Sequence, residues 1–452
     1  MKASPNFSAA YDLLSRKALE TALAGVPAYQ SWRAFDPGPA ESTDRRFEAM
    51  PALSKEDLRK HSWRGFVPHG RNIDLALQKG VIELVQTSGT TKERVTNIWF
   101  QQWWDESEAS SWRCHKQLAA LPLGPHREAI LTSPLNAGIL SNEKLLSMPQ
   151  RTQGRFLYLN EKAYPTMWDD QIIERMLREL EIFRPLVLEA NPSYLAIVAR
   201  YADRRRRAVF QPGVIILTYE NPGLITRKHI RRAFQAPLVS SYGSTEAGYV
   251  LLECDQGKLH QVSPSCRIDV EYLRVEHGQP GVGRLLLTTL TNPWRSLIKF
   301  DVGDLVEIEP RGSCACGRTD GYISSRIAGR TADLSYTPDG RPVLPAAVET
   351  ALAGMEEVID YQLRQQAGRC DVAVVLDQEI NAAPSLREEI SKRLRPLYGC
   401  SDTIKVHFAA QIKPESSGKY RRVRSDIALD DDKLFMKSGP SQVRRQSRDG
   451  QK

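Results

Sequence analysis

The stretch PLVSSYGSTEAG, residues 237–248, joins two kinds of sequence. Leu238 and Val239 begin an apolar run that passes into hydroxyl residues and glycines around Tyr242 and Glu246, so it reads as a strand running into a polar loop. Upstream, EAILTS (128–133), PLVLEA (185–190) and GVIILTYE (213–220) have the composition of buried strands. DQIIERMLRELEIF (170–183) and ITRKHIRRAF (225–234) have helical character, and Asn191-Pro192 opens a further helix. This alternation predicts an α/β core with much parallel pairing. Downstream the pattern changes. RIDVEYLRVE, GRLLLTTLT, SLIKFDVGDLVEIE and GYISSRIAG are closely spaced strands. They predict a mostly antiparallel, β-rich subdomain over about 251–331, inside a large N-terminal domain of layered sheets and helices, residues 1–331. Helices and strands over 332–430 predict a small α+β C-terminal domain. Residues 431–452 read as a disordered basic tail.

Size and composition agree with that division. A chain of 452 residues calls for two or three domains, and 41% hydrophobic with 26% charged residues is ordinary for a soluble globular protein. The net charge of +8 raises the question of nucleic acid, but it is spread out, with local runs at Arg204–Arg207 and in the tail. The seven cysteines are odd in number, which argues against a disulfide framework. No stretch reaches the roughly 18 apolar residues of a membrane span, and the N-terminus lacks the apolar core of a secretory signal. The cytoplasm is the expected location, without nucleic-acid or membrane partners.

VIELVQTSGTTKERVTNIWF, residues 81–100, places a glycine and four hydroxyl side chains between two strands. The phosphate loop of nucleotide hydrolases opens straight into a helix, and no such match occurs here. A helix dipole therefore cannot hold a phosphate at this loop. Backbone N–H groups can, with donors from Thr87, Ser88, Thr90 and Thr91 and close approach allowed by Gly89. A plain turn between strands remains the alternative.

Four further segments come after it in order: SSYGSTEAG (240–248), KFDVGDLVEI (299–308), RIAGRTADL (326–334) and KPESSGKYRR (413–422). The ordered set resembles the adenylate-forming superfamily of acyl-CoA synthetases and ligases over residues 80–425. ECDQGKLH (253–260), GRLLLTTLTN (283–292) and CACGRTDGYISSRIAGR (314–330) are most similar to its phenylacetate–CoA ligase-like branch. The resemblance implies a small mobile C-terminal domain and a two-step reaction. A carboxylate attacks the α-phosphorus of ATP, giving acyl-adenylate and pyrophosphate; a thiol, often that of CoA, then displaces AMP. It further implies that Thr87–Thr91 hold the β- and γ-phosphates, with Ser241, Tyr242 and Gly243 at the adenine, where Tyr242 stacks. Thr245 would meet the α-phosphate or acyl oxygen. Glu246 would help hold Mg²⁺, a hard cation suited to carboxylate and phosphate oxygens. Asp304 would take the ribose hydroxyls, Arg330 the ribose or phosphate, and Lys419 would swing a positive charge onto the reacting groups. The acyl group would lie among Pro134–Leu140, Asn191–Tyr194 and Leu217–Asn221, where Tyr194 and Tyr219 suit an aryl or medium-sized acid.

Cys254, His260, Cys314 and Cys316 offer soft thiolates and an imidazole, a set suited to tetrahedral Zn²⁺. Four protein ligands leave no open position, so such a zinc would be structural; unpaired reduced cysteines are the alternative. Three departures from the branch bear on function. Lys92-Glu93-Arg94 replaces Gly-Lys/Arg-Pro after the first motif, Ala332 stands where a hinge acid is usual, and LSYTPDGRPVLP replaces the glycine-rich segment that shapes the thiol tunnel. The acceptor thus stays open among CoA, a carrier-protein thiol and an amine. A nucleotide binder without turnover, motivated by Glu93 and Ala332, and a zinc-stabilised nucleic-acid binder are the rival readings.

Overall fold

The computed structural model describes residues 7–86, 95–121, 126–310, 313–377, 384–399, 404–427 and 429–436. Strands β1 (Glu83–Gln86) and β2 (Thr96–Trp99) pair antiparallel as a small sheet of their own, with Gln86 opposite Thr96. The main sheet has twelve strands: β3 (Glu128–Leu131), β4 (Thr152–Gln153), β5 (Phe156–Tyr158), β6 (Val187–Ala190), β7 (Val214–Leu217), β8 (Leu238–Ser244), β9 (Gly248–Glu253), β10 (Leu259–Gln261), β11 (Cys266–Tyr272), β12 (Val282–Thr289), β13 (Phe300–Ile308) and β14 (Ile323–Arg330). Their order is β11-β12-β13-β14-β10-β9-β8-β7-β6-β3-β5-β4.

Strand β8 is the pivot. It runs parallel to β7 through Ile215↔Leu238 and antiparallel to β9 through Ser241↔Leu252. On the β7 side, β5, β3, β6 and β7 pair in parallel, as the βα alternation predicts. On the β9 side every pairing is antiparallel. The strands from about 251 onward are therefore a continuation of the same sheet and not a separate layer. Alternation of residues predicts a strand but does not choose its partner.

Three helices frame the site: α1 (Gln101–Trp112), α2 (Asp170–Phe183) and α3 (Pro192–Arg204). Asn191 caps α3, its side chain accepting from the N–H groups of Ser193 and Tyr194, with Pro192 at the first helical position. Helix α1 ends at Trp112, and a short helix follows at Lys116–Ala119. Helices α2 and α3 pack onto the parallel strands through Met176, Leu180, Leu195 and Ala199. The antiparallel half is covered by N-terminal helices, which bury Tyr29, Phe47 and Phe66 beside Leu285 and Phe300. Each such side chain removed from water contributes roughly 1.5–3 kcal/mol.

After β14, β15 (Ser335–Tyr336) pairs with β16 (Pro342–Val343). A four-stranded sheet comes next, β17 (Val358–Gln366), β18 (Arg369–Leu376), β19 (Ile404–Phe408) and β20 (Val423–Ser425), in the order β19-β18-β17-β20. Its core includes Val348 from helix α4 (Pro345–Ala353) and Ile390 and Leu394 from helix α5 (Pro384–Tyr398). The expected tail starts later than residue 431. Asp431–Leu434 is a helical turn, and Leu434 and Phe435 are buried against Leu273 and Val282. Residues 437–452, and Cys400, lie outside the described residues. Arg204, Arg205 and Arg207 of the basic run each pair with a carboxylate of this chain: Asp377, Asp170, and both Glu174 and Glu181, respectively.

Candidate active site

The pivot strand ends at the site. Gly243 has no room for a side chain, because a Cβ there would lie 2.6 Å from the Gly248 carbonyl oxygen. Ser241 is buried and Tyr242 half-buried. The Tyr242 hydroxyl donates to Asp304 Oδ2 at 2.7 Å. Asp304 stands on β13 directly opposite Arg330 on β14, whose Nε–H donates to Asp304 Oδ1 at 3.1 Å. Burial would raise the cost of the Asp304 charge; the guanidinium and the phenol offset it.

Thr245 and Glu246 lie in the turn between β8 and β9, and Glu246 is 7% exposed. Asn97 on β2 points its amide at Glu246 Oε1, 3.5 Å away. Thr87, Ser88, Gly89, Thr90 and Thr91 lie outside the described residues. The strand after them nevertheless carries Asn97 onto Glu246, so the flank of that segment meets the carboxylate.

Lys419 reaches this place from the other sheet. Its backbone belongs to a turn in which Glu415 N–H donates to the Lys419 carbonyl at 2.8 Å. Gly418, at φ +81°, fits between two side chains; a Cβ would lie 2.8 Å from Tyr194 Oη and 3.1 Å from Ser133 Cβ. The Tyr194 hydroxyl donates to the Gly418 carbonyl at 3.2 Å, and Tyr164 to that of Ser416 at 3.3 Å. Glu220 accepts from the Tyr420 N–H. Arg422 donates to Asp360 at 3.0 Å and across to Ser193 Oγ at 3.0 Å. The Lys419 ammonium is held below its ordinary pKa, first by burial and then by Arg330; Glu220, Asp304 and Glu246 oppose that. Arg330, Glu220, Asp304 and Glu246 thus lie near enough to Lys419 for their charges to act on it. At Ala332 and Asp333, where the resemblance places a hinge, the Ala332 carbonyl accepts from Arg421 at 2.6 Å and Asp333 pairs with the same guanidinium.

The expected acyl walls differ in character from their residue types. Tyr194 is fully buried and serves the Gly418 contact. Tyr219, at φ +69°, is exposed just beyond the end of β7. Glu108 on α1 accepts from the Tyr249 hydroxyl at 2.9 Å. Burial pushes Glu108 and Glu189 up to about 7; the Glu128 charge adds to the first and the Glu108 charge to the second. Leu135 and Leu140 of the Pro134–Leu140 segment face solvent. The region is more polar than an aryl slot.

The cysteine–histidine set converges. Cys254 follows β9, His260 is on β10, and Cys314 and Cys316 precede β14. Cys254 Sγ and Cys314 Sγ are 3.6 Å apart, Cys316 Sγ and His260 Nε2 3.3 Å, and all four ligand atoms lie within 4.8 Å of one another. A tetrahedral zinc with bonds of ~2.3 Å to sulfur and ~2.0–2.1 Å to nitrogen sets its ligands roughly 3.5–3.8 Å apart, so the donors present fit that ion. Burial, followed by the Arg318 charge, pushes His260 down to about 4, which leaves its imidazole neutral and able to ligate. Asn97, whose amide points at Glu246, is a residue that sequence reasoning missed, a lone polar residue in an ordinary strand without a spacing signal. Glu220 and Arg422 fall inside segments singled out from the sequence, 217–221 and 413–422, where the residue pattern gives them no role of their own.

No protein-family model matches the chain. A phenylacetate–coenzyme A ligase of Thermus thermophilus is 27% identical over 283 residues, 55% of this chain; the match spans 62% of that relative's length. Protein CapK of Staphylococcus aureus is 21% identical over 389 residues, 84% of this chain and 80% of CapK. Among solved structures, 2-hydroxyisobutyryl-CoA ligase in the postadenylation state, in complex with R3-HIB-AMP, superposes with a TM-score of 0.68 at 17% identity, covering 92% of this chain and 89% of that one. The same ligase in the thioesterification state, with 2-HIB-AMP and CoA, gives 0.52 at the same coverage. The fold is that of the adenylate-forming acyl-CoA ligases, and the sequence is similar to their phenylacetate–CoA ligase-like branch.

Proposed function

We propose that a chain with this fold and this cleft is an AMP-forming acid–thiol ligase. It activates a small carboxylic acid with ATP to an acyl-adenylate, releases pyrophosphate, and passes the acyl group to CoA. The observation that carries the reading is the convergence of Tyr242, Glu246, Asp304 and Arg330 with Lys419, which lies far along the chain in the connection between β19 and β20. In-line attack on the α-phosphorus needs fixed cations and donors aimed at developing charge, and little else from the protein.

In this reading Tyr242 stacks on adenine, and Ser241 and Gly243 line the approach to it. Asp304 accepts the ribose hydroxyls and Arg330 contacts ribose or phosphate. Thr87–Thr91 hold the β- and γ-phosphates. Thr245 meets the α-phosphate or acyl oxygen. Lys419 places its ammonium between acid and phosphate. Glu246 would hold Mg²⁺, which supplies charge neutralisation on the phosphates. Residues 1–331 and 332–430 form the two domains, and the second moves between half-reactions. The docked Gly418–Lys419 turn and the closer likeness to a postadenylation state both support an adenylation arrangement here. Cys254, His260, Cys314 and Cys316 would hold Zn²⁺, which would have a structural role there, linking the β9–β10 region to the segment before β14. A carrier-protein thiol or an amine is the alternative acceptor. Among the described residues no helix is long and apolar enough to cross a membrane. The cytoplasm, where ATP and CoA are at hand, is the location this reading assigns.

The test is carboxylate-dependent ATP–pyrophosphate exchange over a panel of aryl, hydroxy and short aliphatic acids, with mass-spectrometric detection of acyl-AMP. Exchange with at least one acid is expected. Tight ATP binding without exchange across the panel would instead favour a nucleotide binder without turnover.

A further inference from the structure

Arg295 lies in the connection between β12 and β13, and its backbone is pinned on both sides. Trp294 packs edge-on against Phe100, with ring centroids 6.5 Å apart. The Trp103 indole donates to Thr291 Oγ1 at 3.1 Å, Ser296 N–H donates to the Phe66 carbonyl at 2.9 Å, and the Tyr29 hydroxyl donates to the Ser296 carbonyl at 3.1 Å. The Arg295 residue is left only 1% exposed. None of its three guanidinium nitrogens has a hydrogen-bond partner among the described residues.

The chain treats its other deeply buried cations differently. Arg46 is paired with Asp36 and Glu20, Arg267 with Asp44 and Asp269, and Arg151 with Glu179 and two carbonyl oxygens. Lys299, four residues on, donates to the Phe47 and Met50 carbonyls at 3.1 and 2.8 Å. A buried guanidinium with no acceptor is costly, and natural proteins keep such a group where a ligand completes it. Burial pushes its pKa down to about 10, opposed first by Glu246 and then by Tyr29. The Tyr29 hydroxyl already has two backbone partners, Ser296 and Ile298. Glu246 takes the Asn97 amide. Arg295 and Glu246 thus belong to segments that meet the same strand: Trp294 packs on Phe100 directly after β2, Asn97 within β2 points its amide at Glu246, and no hydrogen bond joins the guanidinium to the carboxylate.

We infer that Arg295 is an anion-binding residue of the nucleotide site, taking the pyrophosphate end of ATP, its β- and γ-phosphates, with its planar fork. This rests on the proposed ATP-binding reading and extends it to a residue outside every motif of the chain. A guanidinium matches two phosphate oxygens at once, which a lysine cannot do. Pyrophosphate and ATP should therefore depend on Arg295, and AMP should not.

The experiment measures binding of pyrophosphate, ATP and AMP by calorimetry and by thermal shift, for the wild-type chain, Arg295→Met and Arg295→Lys. Charge-assisted hydrogen bonds of about 1.5–3 kcal/mol predict a ~10–100-fold loss of pyrophosphate and ATP affinity in Arg295→Met. AMP should change less than about twofold, and Arg295→Lys should fall between. A folded Arg295→Met that binds pyrophosphate like wild type overturns the inference and leaves the ATP reading standing. A wild-type protein that binds none of the three overturns that reading as well. Should neither variant fold, the wild type decides: at equal free concentration pyrophosphate must raise the melting temperature more than AMP does, and an equal or smaller shift overturns the inference.

Discussion

Tyr242 and Asp304, 62 residues apart in the chain, are joined by a 2.7 Å hydrogen bond from the phenol to the carboxylate. The bond fixes the plane of the ring and aims the acid at once. Arg330 holds the second carboxylate oxygen at 3.1 Å, yet a carboxylate offers about four lone-pair positions, so two ribose hydroxyls can still be accepted. Asp304→Ala removes that acceptor and frees the ring. With charged hydrogen bonds worth about 1.5–3 kcal/mol, ATP affinity should fall ~10–100-fold by calorimetry. Tyr242→Phe keeps the stacking surface and loses only the orienting bond, so it should lose about tenfold or less. Unchanged ATP affinity in Asp304→Ala would remove Asp304 from the site.

The Lys419 turn separates the two half-reactions. Lys419→Ala should slow adenylation at least ~100-fold, the scale of a lost electrostatic contact in a transition state, while ATP affinity changes little. Gly418→Ala tests the docking itself. Its Cβ would meet Tyr194 Oη at 2.8 Å at a φ of +81°, so the turn cannot seat. Adenylation should fall as in Lys419→Ala, whereas thioester formation from supplied acyl-AMP should persist. Equal loss in both steps would mean that the turn serves general stability.

Much of this arrangement is legible in the residues. Asn191-Pro192 marks a helix start that the structure places where expected, and the βα alternation before residue 238 yields the parallel half of the sheet. Partner choice is not legible. The strands after residue 251 join the same sheet because β9 pairs with β8, a tertiary fact absent from any local pattern. Tyr194 reads as an aromatic pocket wall, and its hydroxyl is committed to Gly418, in the turn between β19 and β20. Asn97 carries no signal at all, since a single polar residue in a strand looks like surface until the fold brings its partner. The tail is the opposite case. Leu434 and Phe435 are two apolar residues ahead of a polar stretch, enough to anchor 431–436 on β11 and β12.

The cysteine–histidine site should hold one metal ion. Purified protein is expected to contain about one equivalent of zinc by elemental analysis, and Cys314→Ser should lose it. Because an apo site rarely survives unfolding and refolding without its ion, chelator treatment should lower the melting temperature and zinc should restore it. Catalysis should follow folding, with no separate effect on ATP affinity, since four protein ligands leave no open position. Metal-free protein with an unchanged melting temperature would show that the cluster is only four packed side chains.

Glu108 and Glu189 predict how stability changes with pH. Burial pushes both up to about 7 in the folded chain, whereas an unfolded glutamate titrates near ~4.3. Between those values the folded state binds more protons than the unfolded one, so stability must fall as pH rises through this window and level off above it. Glu189→Gln removes the charge and keeps the size and shape of the side chain. The variant should therefore be more stable than wild type at pH 8, by about 1–3 kcal/mol from the size of the shift, and the difference should shrink toward zero near pH 4. Urea denaturation midpoints at pH 4.5, 6 and 8 measure it. The opposite slope, with wild type gaining stability between pH 4.5 and 7 relative to the variant, would show that Glu189 is ionised and favourably paired in the folded protein.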